Sequence, residues 1–581
     1  MGNISWIFKY MRRYRFKMVI SGIFAILSGG CALAAPLFMG KAIDTMTGPA
    51  VNTRALGEHL LILAAVYLAG SVLSWLSPVI SGKTAALTAG DMRANAFRRL
   101  QRLPVRFFDT HPHGDLIARL TADCDNIYEG LSQSFVQLAS GIVTVIGTIA
   151  AMFVISPAIA AVVLCITPLS VLVARFVVYR TARLFAAQQK LTGELNGCAE
   201  EMLSGLYCLH SYSMERDALG KFREINGRLY KTGRSAQFGG ALINPSTRLV
   251  NNISYISVGL IGCIFAVRGI TAGGWSMTVG TIATMLSYAT QFAKPINELA
   301  GVATQVQNGL ASAGRLRELE AEEPESDDSA LPELAEMRVK AQEGTVDFEN
   351  VAFSYVPERP LISELTLHAK KGGIIAIVGP TGGGKTTLVN LLMRFYDPDS
   401  GTICVDGTDT LNVTRDSLRD NFSMVLQDTW LFTGTVRENI AYGRPGATDE
   451  EIIAASKAAY AHNFIKRLPK GYDTVITDGG GNLSLGQCQL ITIARAMLSD
   501  APVLILDEAT SSVDIVTEQY IQRGFATLMA GRTSFIIAHR LATVRSADLI
   551  LVMVNGHIAE QGNHEELMAK RGKYYELTVN S

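Results

Sequence analysis

IIAIVGPTGGGKTTLVNLLMRF, Ile374 to Phe395, is the stretch that decides the fold of the second half of this chain. Ile374 to Val378 is an apolar run of strand length, and LVNLLMRF has the composition of a helix. Between them lies GPTGGGKT, Gly379 to Thr386, which fits the phosphate-binding loop pattern. Its glycines let backbone N–H groups turn inward around phosphate oxygens. Lys385 then reaches the β and γ phosphates, and the Thr386 hydroxyl ligates Mg²⁺. A glycine turn with no ligand is the competing reading; strand, loop, Lys-Thr and helix in this order argue against it.

Downstream, VLILDEATSSVD, Val503 to Asp514, supplies the partner that such a loop needs. Its apolar strand is buried on both faces, so Asp507 and Glu508 emerge at the carboxyl end, where parallel sheets hold ligands. Asp507 is expected to hold Mg²⁺ through water, and Glu508 to orient and deprotonate an attacking water. With VDFENVAFSY and the alternating helices and strands that follow, residues 345–581 read as an α/β nucleotide-binding domain.

Upstream, EAEEPESDDSALPELA at 320–335 is acidic, contains prolines and lacks periodicity, and reads as the core of a linker spanning 319–344. Residues 1–318 differ in kind. Six segments, near 17–40, 57–81, 133–155, 158–179, 242–268 and 277–302, approach the 20 or so apolar residues that cross a bilayer. Lys9, Arg12, Arg13, Arg15 and Lys17 precede the first, which puts the N-terminus in the cytoplasm. A cleaved signal peptide competes, but PLFMGK at Pro36 to Lys41 is a poor cleavage site and further spans follow. The long polar segments after the second and fourth spans lie inside, the second carrying 181–238, and the three short connections lie outside with Trp275 as an interfacial aromatic.

Over all 581 residues the formal net charge is zero, which gives no bulk electrostatic case for nucleic acid. Charged residues are only 18 % and apolar ones 48 %, as suits a membrane part joined to a cytosolic part. Eight scattered cysteines show no metal-ligand spacing and read as reduced packing residues. Ionisable and amide side chains within spans are costly and usually face a cavity or a partner. Those of the fifth span are Asn244, Arg248, Asn251 and Asn252, and those of the sixth Gln291, Lys294, Asn297 and Glu298. Lys294 and Glu298 are also four apart and suited to pairing along one helix face.

On these motifs the second half resembles an ATP-binding cassette (ABC) ATPase domain, and the whole chain resembles an ABC exporter half-transporter. The fold the resemblance implies is a membrane bundle of six transmembrane helices followed by a P-loop nucleotide-binding domain. It implies a dimeric, ATP-hydrolysing translocase of the cell membrane, multi-pass, with the N-terminus and ATPase domain cytoplasmic. ATP and Mg²⁺ are the implied ligands. Gly379, Pro380, Thr381, Gly382, Gly383, Gly384, Lys385, Thr386 and Thr387 match the phosphate loop. Tyr355 matches the adenine-stacking aromatic, Gln427 the Q-loop, Asp514 the D-loop and His539 the switch histidine facing the γ phosphate. Thr386, Gln427 and Asp507 form the metal set; Glu508, His539, Lys385 and Gln427 form the catalytic set. FFDTHPHGDLIARLTADCDNI, Phe107 to Ile127, resembles the first cytoplasmic loop, with coupling helices expected near Thr121 to Ile127 and near Tyr207 to Asp217.

LSLGQ at Leu483 to Gln487 resembles the family signature LSGGQ with Leu485 in a glycine position. Ser484, Gly486 and Gln487 are retained for contact with the nucleotide held by the opposite subunit. Glycine permits positive φ and close backbone approach, and leucine restricts both. TDGG at Thr477 to Gly480 and Cys488 also depart from the family's arginine-bearing pattern. An intact nucleotide side beside an altered signature resembles the glutamate-bearing half of heterodimeric bacterial exporters, with one degenerate ATP site. The implied function is export of an amphipathic drug, lipid or peptide in contact with membrane lipids. A homodimeric exporter, or an exporter-fold importer of a siderophore-like substrate, is the alternative.

Overall fold

A computed structural model describes residues 2–47, 52–269, 271–272, 275–334, 343–380, 382–427, 429–477, 479–507, 513–538 and 541–579. The chain forms two compact units, Met1–Gln101 with Pro112–Glu322, and Arg102–His111 with Glu323–Ser581.

The first unit is helical. A short α1 (Asn3–Met11) leads into α2 (Arg15–Thr47) and α3 (Thr53–Leu100). The chain then leaves this unit for α4 (Val105–Thr110) and returns with α5 (His113–Leu120) and α6 (Ala122–Ile155). Next come α7 (Pro157–Ser204), α8 (Leu206–Ser211), α9 (Glu215–Ala241), α10 (Ile243–Val267) and α11 (Val279–Ala321). At 48 residues, α3 and α7 each run for roughly 70 Å at 1.5 Å per residue, over twice the hydrocarbon thickness. Among the described residues five helical stretches are apolar enough to cross a membrane: Asn3–Thr47, Thr53–Leu100, His113–Ile155, Pro157–Ser204 and Glu215–Val267. The sixth expected span falls inside the 43-residue α11.

Position in the chain explains the faces. On α3, Leu61, Leu68 and Trp75 recur every seven residues and are exposed, forming an apolar stripe suited to lipid. Small residues occupy the helix crossings. A Cβ on Gly40 of α2 would come within 2.6 Å of the Gly280 carbonyl oxygen of α11. One turn further along α2, Asp44 accepts from the Gly280 N–H at 2.8 Å and from the Thr278 hydroxyl at 2.7 Å, capping α11 with a negative charge at its positive end. Toward the other end of α11, Asp123 of α6 is buried and accepts from Arg315 Nε at 2.8 Å and from the Ser312 hydroxyl at 2.8 Å.

The expected helix at Thr121 to Ile127 is not a separate element. Thr121 is the N-cap of α6, and nothing in ADCDNI breaks the helix that continues to Ile155. The separate helices in this loop are α4, FFDT with its two preceding residues, set between Pro104 and Pro112, and α5, which ends at Leu120. In the second unit Phe107 is buried, its ring stacked on His111 at 4.1 Å, and Asp109 accepts from the Tyr396 hydroxyl at 2.5 Å. Near Tyr207 to Asp217 the short α8 ends at Ser211, Ser213 just beyond it has φ 55°, and Leu206, Tyr207 and Tyr212 are exposed.

The second unit is built on two sheets. Strands β1 (Val346–Phe353), β2 (Ile362–Ala369), β4 (Ser400–Val405) and β5 (Thr408–Asp409) form an antiparallel sheet in the order β2-β1-β4-β5. The other holds β3 (Ile374–Val378), β6 (Phe422–Val425), β7 (Val503–Asp507), β8 (Thr533–Ile537), β9 (Leu549–Val554) and β10 (His557–Gly562), in the order β10-β9-β3-β8-β7-β6. All its pairings are parallel except β9 with β10. The unbroken apolar runs follow from burial on both faces. Leu504 and Leu506 of β7 enter one core, while Val503 and Ile505 enter the other. Ala376 and Val378 of β3 split from Ile375 and Ile377 in the same way.

The acidic stretch after Glu322 lies on this second unit. Arg415, almost fully buried, pairs with Glu325 at 3.1 Å, Asp328 at 3.4 Å and Asp397 at 3.4 Å. Leu334 is completely buried, and its N–H donates to Ser417 Oγ at 2.9 Å.

Candidate functional site

The parallel register sets the site. Ile537 pairs with both Asp507 and Ile377, and Leu506 pairs with Val425, so β3, β8, β7 and β6 end level with one another. The phosphate loop leaves β3, Asp507 ends β7, and Gln427 follows β6 as an exposed residue. Glu508, His539 and Thr381 lie outside the described residues.

The loop's backbone is shaped by glycine where no side chain fits. Gly379 has φ 152° and a Cβ there would stand 2.0 Å from the Met553 carbonyl oxygen. Gly384, in the left-handed region at φ 96°, precedes α12 (Lys385–Leu392), whose first turn therefore opens toward the loop. Gly383 is braced by an N–H from Gly556 at 3.1 Å. Gly556 itself has no room for a Cβ, which would fall 1.2 Å from the Leu361 carbonyl oxygen.

Lys385 Nζ donates to the Gly379 carbonyl at 2.8 Å and the Pro380 carbonyl at 3.0 Å, folded back over its own loop. Burial lowers its ammonium below the ordinary lysine range, and the nearby Asp507 carboxylate opposes that shift. Thr387 is buried, and its hydroxyl meets the Tyr355 hydroxyl at 3.3 Å. Asn390 donates to the same tyrosine oxygen at 3.2 Å, and the ring packs edge-on against Phe353 and Tyr396. Tyr355, Lys385, Thr387 and Asp507 thus cluster around one loop.

Ser484, Gly486, Gln487 and Asp514 form a second cluster. Ser484 caps α13 (Leu485–Ser499): its hydroxyl accepts from the Gln487 N–H at 3.3 Å, and Gln487 Oε1 accepts from the Ser484 N–H at 3.0 Å. Asp514 caps α14 (Ile515–Met529), accepting from the Thr517 N–H at 2.9 Å, a bond that lowers its carboxyl pKa. The two helix starts touch. A Cβ on Gly486 would meet Thr517 Cγ2 at 2.4 Å and Val513 Cγ1 at 2.8 Å.

Leu485 overturns one expectation about the signature. It is the first residue of α13, has no positive φ, and remains 44 % exposed. Leucine therefore adopts this backbone without strain. What it changes is bulk in front of a helix N-terminus. Cys488, buried, has its Sγ 3.9 Å from the Gly480 carbonyl oxygen, so the position that departs from arginine is now a packing contact, with the thiol pKa pushed up by burial.

For Mg²⁺, the described residues contain no cluster of three His, Cys, Asp or Glu. The set Thr386, Asp507 and Gln427 is instead a hydroxyl on the first turn of α12, a carboxylate ending β7 and an amide just after β6, all hard oxygen donors, which fits an ion that retains several waters.

The helical unit has its own candidate site. A cavity of about 500 Å³ lies along α6 and α11, with Ala32 of α2 at its edge. Lys294 is the cation on its wall, beside Gln291, Gln137, Ser140 and Thr144; the rest is apolar, including Leu138, Ile142 and Val302. Gln291 donates to the Ala32 carbonyl at 3.3 Å, while its Oε1 is buried with no hydrogen-bond partner among the described residues. Of the sixth-span candidates the cavity takes Gln291 and Lys294; the side chains of Asn297 and Glu298, like that of Trp275, lie outside the described residues. Asn244, Arg248, Asn251 and Asn252 sit on α10 and do not line it. Gln137, Ser140 and Thr144 were missed, although their spacing of three and four residues in an apolar span is a helical face.

Comparison with known proteins follows this geometry. Residues 18–296 match the family described as the ABC transporter transmembrane region, and residues 362–511 match the family described as ABC transporter. A fatty acid ABC transporter ATP-binding/permease protein of Mycobacterium tuberculosis is 43 % identical over 538 residues, 93 % of this chain and 83 % of the relative. An ATP-dependent lipid A-core flippase of Syntrophus aciditrophicus is 33 % identical over 575 residues, 98 % of this chain and 93 % of the relative. The solved structure of a bacterial Atm1-family ABC exporter with ATP bound is similar with a TM-score of 0.76 at 28 % identity, covering 97 % of this chain and 98 % of that one.

Proposed function

The chain belongs to the ABC transporter family as an ATP-hydrolysing exporter half-transporter that works as a dimer, and on that premise we propose that its cargo is an anionic, lipid-like amphiphile. The observation that carries the reading is the cavity around Lys294. An ammonium among Gln137, Gln291 and apolar side chains suits a carboxylate or phosphate head on an alkyl body. The names of the Mycobacterium and Syntrophus relatives, a fatty acid transporter and a lipid A-core flippase, support the same class.

In this reading ATP lies on the first turn of α12, with Lys385 leaving the Gly379 and Pro380 carbonyls for its phosphates and Tyr355 against the base. Thr386, Gln427 and Asp507 would hold Mg²⁺, which neutralises phosphate charge when bound. Glu508 orients and deprotonates the attacking water, and His539 contacts the γ phosphate. The partner's signature closes this site, while Ser484, Gly486 and Gln487 of this chain close the partner's, with Asp514 positioning the neighbouring helix. Helices α4 and α8 are the coupling elements. The N-terminus and the ATPase domain, residues 345–581, are cytoplasmic, with residues 1–318 in and beside the membrane and 319–344 joining them. The Arg- and Lys-rich segments beside the spans support this orientation.

The partner is a second half-transporter, and we favour a heterodimer. Support comes from an intact loop, Lys385 and Asp507 beside a signature carrying Leu485. ATPase stimulation in proteoliposomes tests the cargo class. A long-chain fatty acid is expected to stimulate and the matching fatty alcohol is not; equal stimulation by both would reject the anionic reading.

A further inference from the structure

Along the same pair of helices as the cargo cavity lies a second one of about 300 Å³. Helix α1 and the start of α2 close it with Ile7, Phe8, Met11 and Met18; α6 contributes Leu131, Ser134 and Leu138. Its lining is almost wholly apolar save for one group. Ser134 is 3 % exposed, and its hydroxyl has no hydrogen-bond partner among the described residues. A helical serine normally returns its hydroxyl to a carbonyl one turn back, as Ser140 does to Val136 at 2.9 Å. Leu138 lines both cavities and is their shared wall.

The adjoining sequence is cationic. Between the lining residues Met11 and Met18 in sequence stand Arg12, Arg15 and Lys17, all exposed, while Arg13 pairs with Asp91 at 4.0 Å. Helix α1 is latched in place: the Trp6 indole N–H donates to Glu320 Oε2 at 3.0 Å, and the Tyr10 hydroxyl donates to the other oxygen of the same carboxylate. Ile4 and Phe8, which also line the cavity, stay more than half exposed, so the cavity opens along α1, as befits a helix lying in the headgroup region of a bilayer.

We propose that this cavity binds one anionic membrane glycerophospholipid, with an acyl chain in the apolar space and the phosphate among Arg12, Arg15 and Lys17. Three observations select that occupant. The space is apolar and of ligand size, which suits an alkyl chain. Arg12, Arg15 and Lys17 stand in sequence between two lining residues, which suits an anionic head. The buried Ser134 hydroxyl is a donor in want of an acceptor, which the ester carbonyl of a glycerolipid supplies and a hydrocarbon does not. The site is separate from the cargo site, so loss of the fatty acid response at Lys294 leaves this assignment standing.

The test is native mass spectrometry of the full-length transporter, released from nanodiscs containing equal phosphatidylglycerol and phosphatidylcholine. The expected result is one retained phosphatidylglycerol per chain, at least fivefold over phosphatidylcholine. Ser134→Leu, which fills the cavity, is expected to abolish retention. Ser134→Ala keeps the space and is expected to lower retention severalfold, and Arg12→Gln/Arg15→Gln/Lys17→Gln to erase the headgroup preference. Should Ser134→Leu fail to assemble, quenching of Trp6 by phosphatidylglycerol brominated on its acyl chains decides, in protein with the other three tryptophans changed to phenylalanine. No retained lipid with no quenching, equal retention of the two lipids, or full retention in Ser134→Leu would each overturn the proposal.

Discussion

Leu485→Gly separates what the signature helix does for folding from what it does across a dimer. Leu485 is 44 % exposed at the first position of α13, so its removal gives up about half of the 1.5–3 kcal/mol of a buried leucine. Glycine adds up to about 1 kcal/mol of helix cost, less at a first-turn position. The fold therefore loses roughly 1–2 kcal/mol. On the proposed degenerate site, leucine bulk ahead of the helix N-terminus would remove about one charge-assisted hydrogen bond to phosphate across the dimer, or about 1.5–3 kcal/mol. That is roughly tenfold to hundredfold in rate. In the chain purified without a partner both signatures carry Leu485, so phosphate release is slow and Leu485→Gly raises it by at least tenfold. Gly486→Ala is the control, because its Cβ would meet Thr517 at 2.4 Å and Val513 at 2.8 Å. It costs about 2–3 kcal/mol by overpacking and lowers turnover. Brisk turnover of the unmutated chain alone, abolished by Glu508→Gln, would sink the heterodimer; unchanged turnover in Leu485→Gly would refute the argument from bulk.

Two further outcomes follow from buried charge. Arg415→Ala removes the buried guanidinium shared by Glu325, Asp328 and Asp397, while Arg419 and Arg394 still face Glu325 and Asp328, and is expected to destabilise the second unit by about 1.5–3 kcal/mol, seen as a lower calorimetric transition and faster proteolysis within 323–334. Lys385 has its pKa lowered by burial, so between that value and the ordinary lysine value the unfolded chain holds a proton that the folded chain lacks, and stability rises with pH there. Phosphate needs the ammonium, so ATP affinity should fall with pH through the same alkaline window, as read by calorimetric titration; Lys385→Arg removes that dependence.

Much of the ATPase unit is legible because its signals are local. The apolar runs of β3 and β7 reflect burial in two cores at once, and Gly379 and Gly383 of the loop stand where the Met553 carbonyl leaves no room for a side chain. The first-loop helix was misplaced because Ala122 to Ile127 is the first turns of the long α6, whereas Pro104 and Pro112 isolate Val105–Thr110. The acidic stretch looked like a solvated tether because its partners, Arg394, Arg415 and Arg419, lie about 65 to 95 residues away in sequence, beyond any periodic signal. At Leu485 the error was conformational: a family glycine suggested positive φ, but the position is ordinary helix. The Lys294 cavity was half legible, since ionisable groups in a span stand out while Gln137 and Ser140 do not.

Uptake of a labelled long-chain fatty acid into inside-out proteoliposomes, driven by ATP, tests the central claim most directly. The account predicts ATP-dependent accumulation that Glu508→Gln abolishes, that Lys294→Met reduces at least tenfold and that Lys294→Arg largely preserves. Accumulation of the fatty acid that Lys294→Met leaves intact, or equal transport of the matching alcohol, would contradict it.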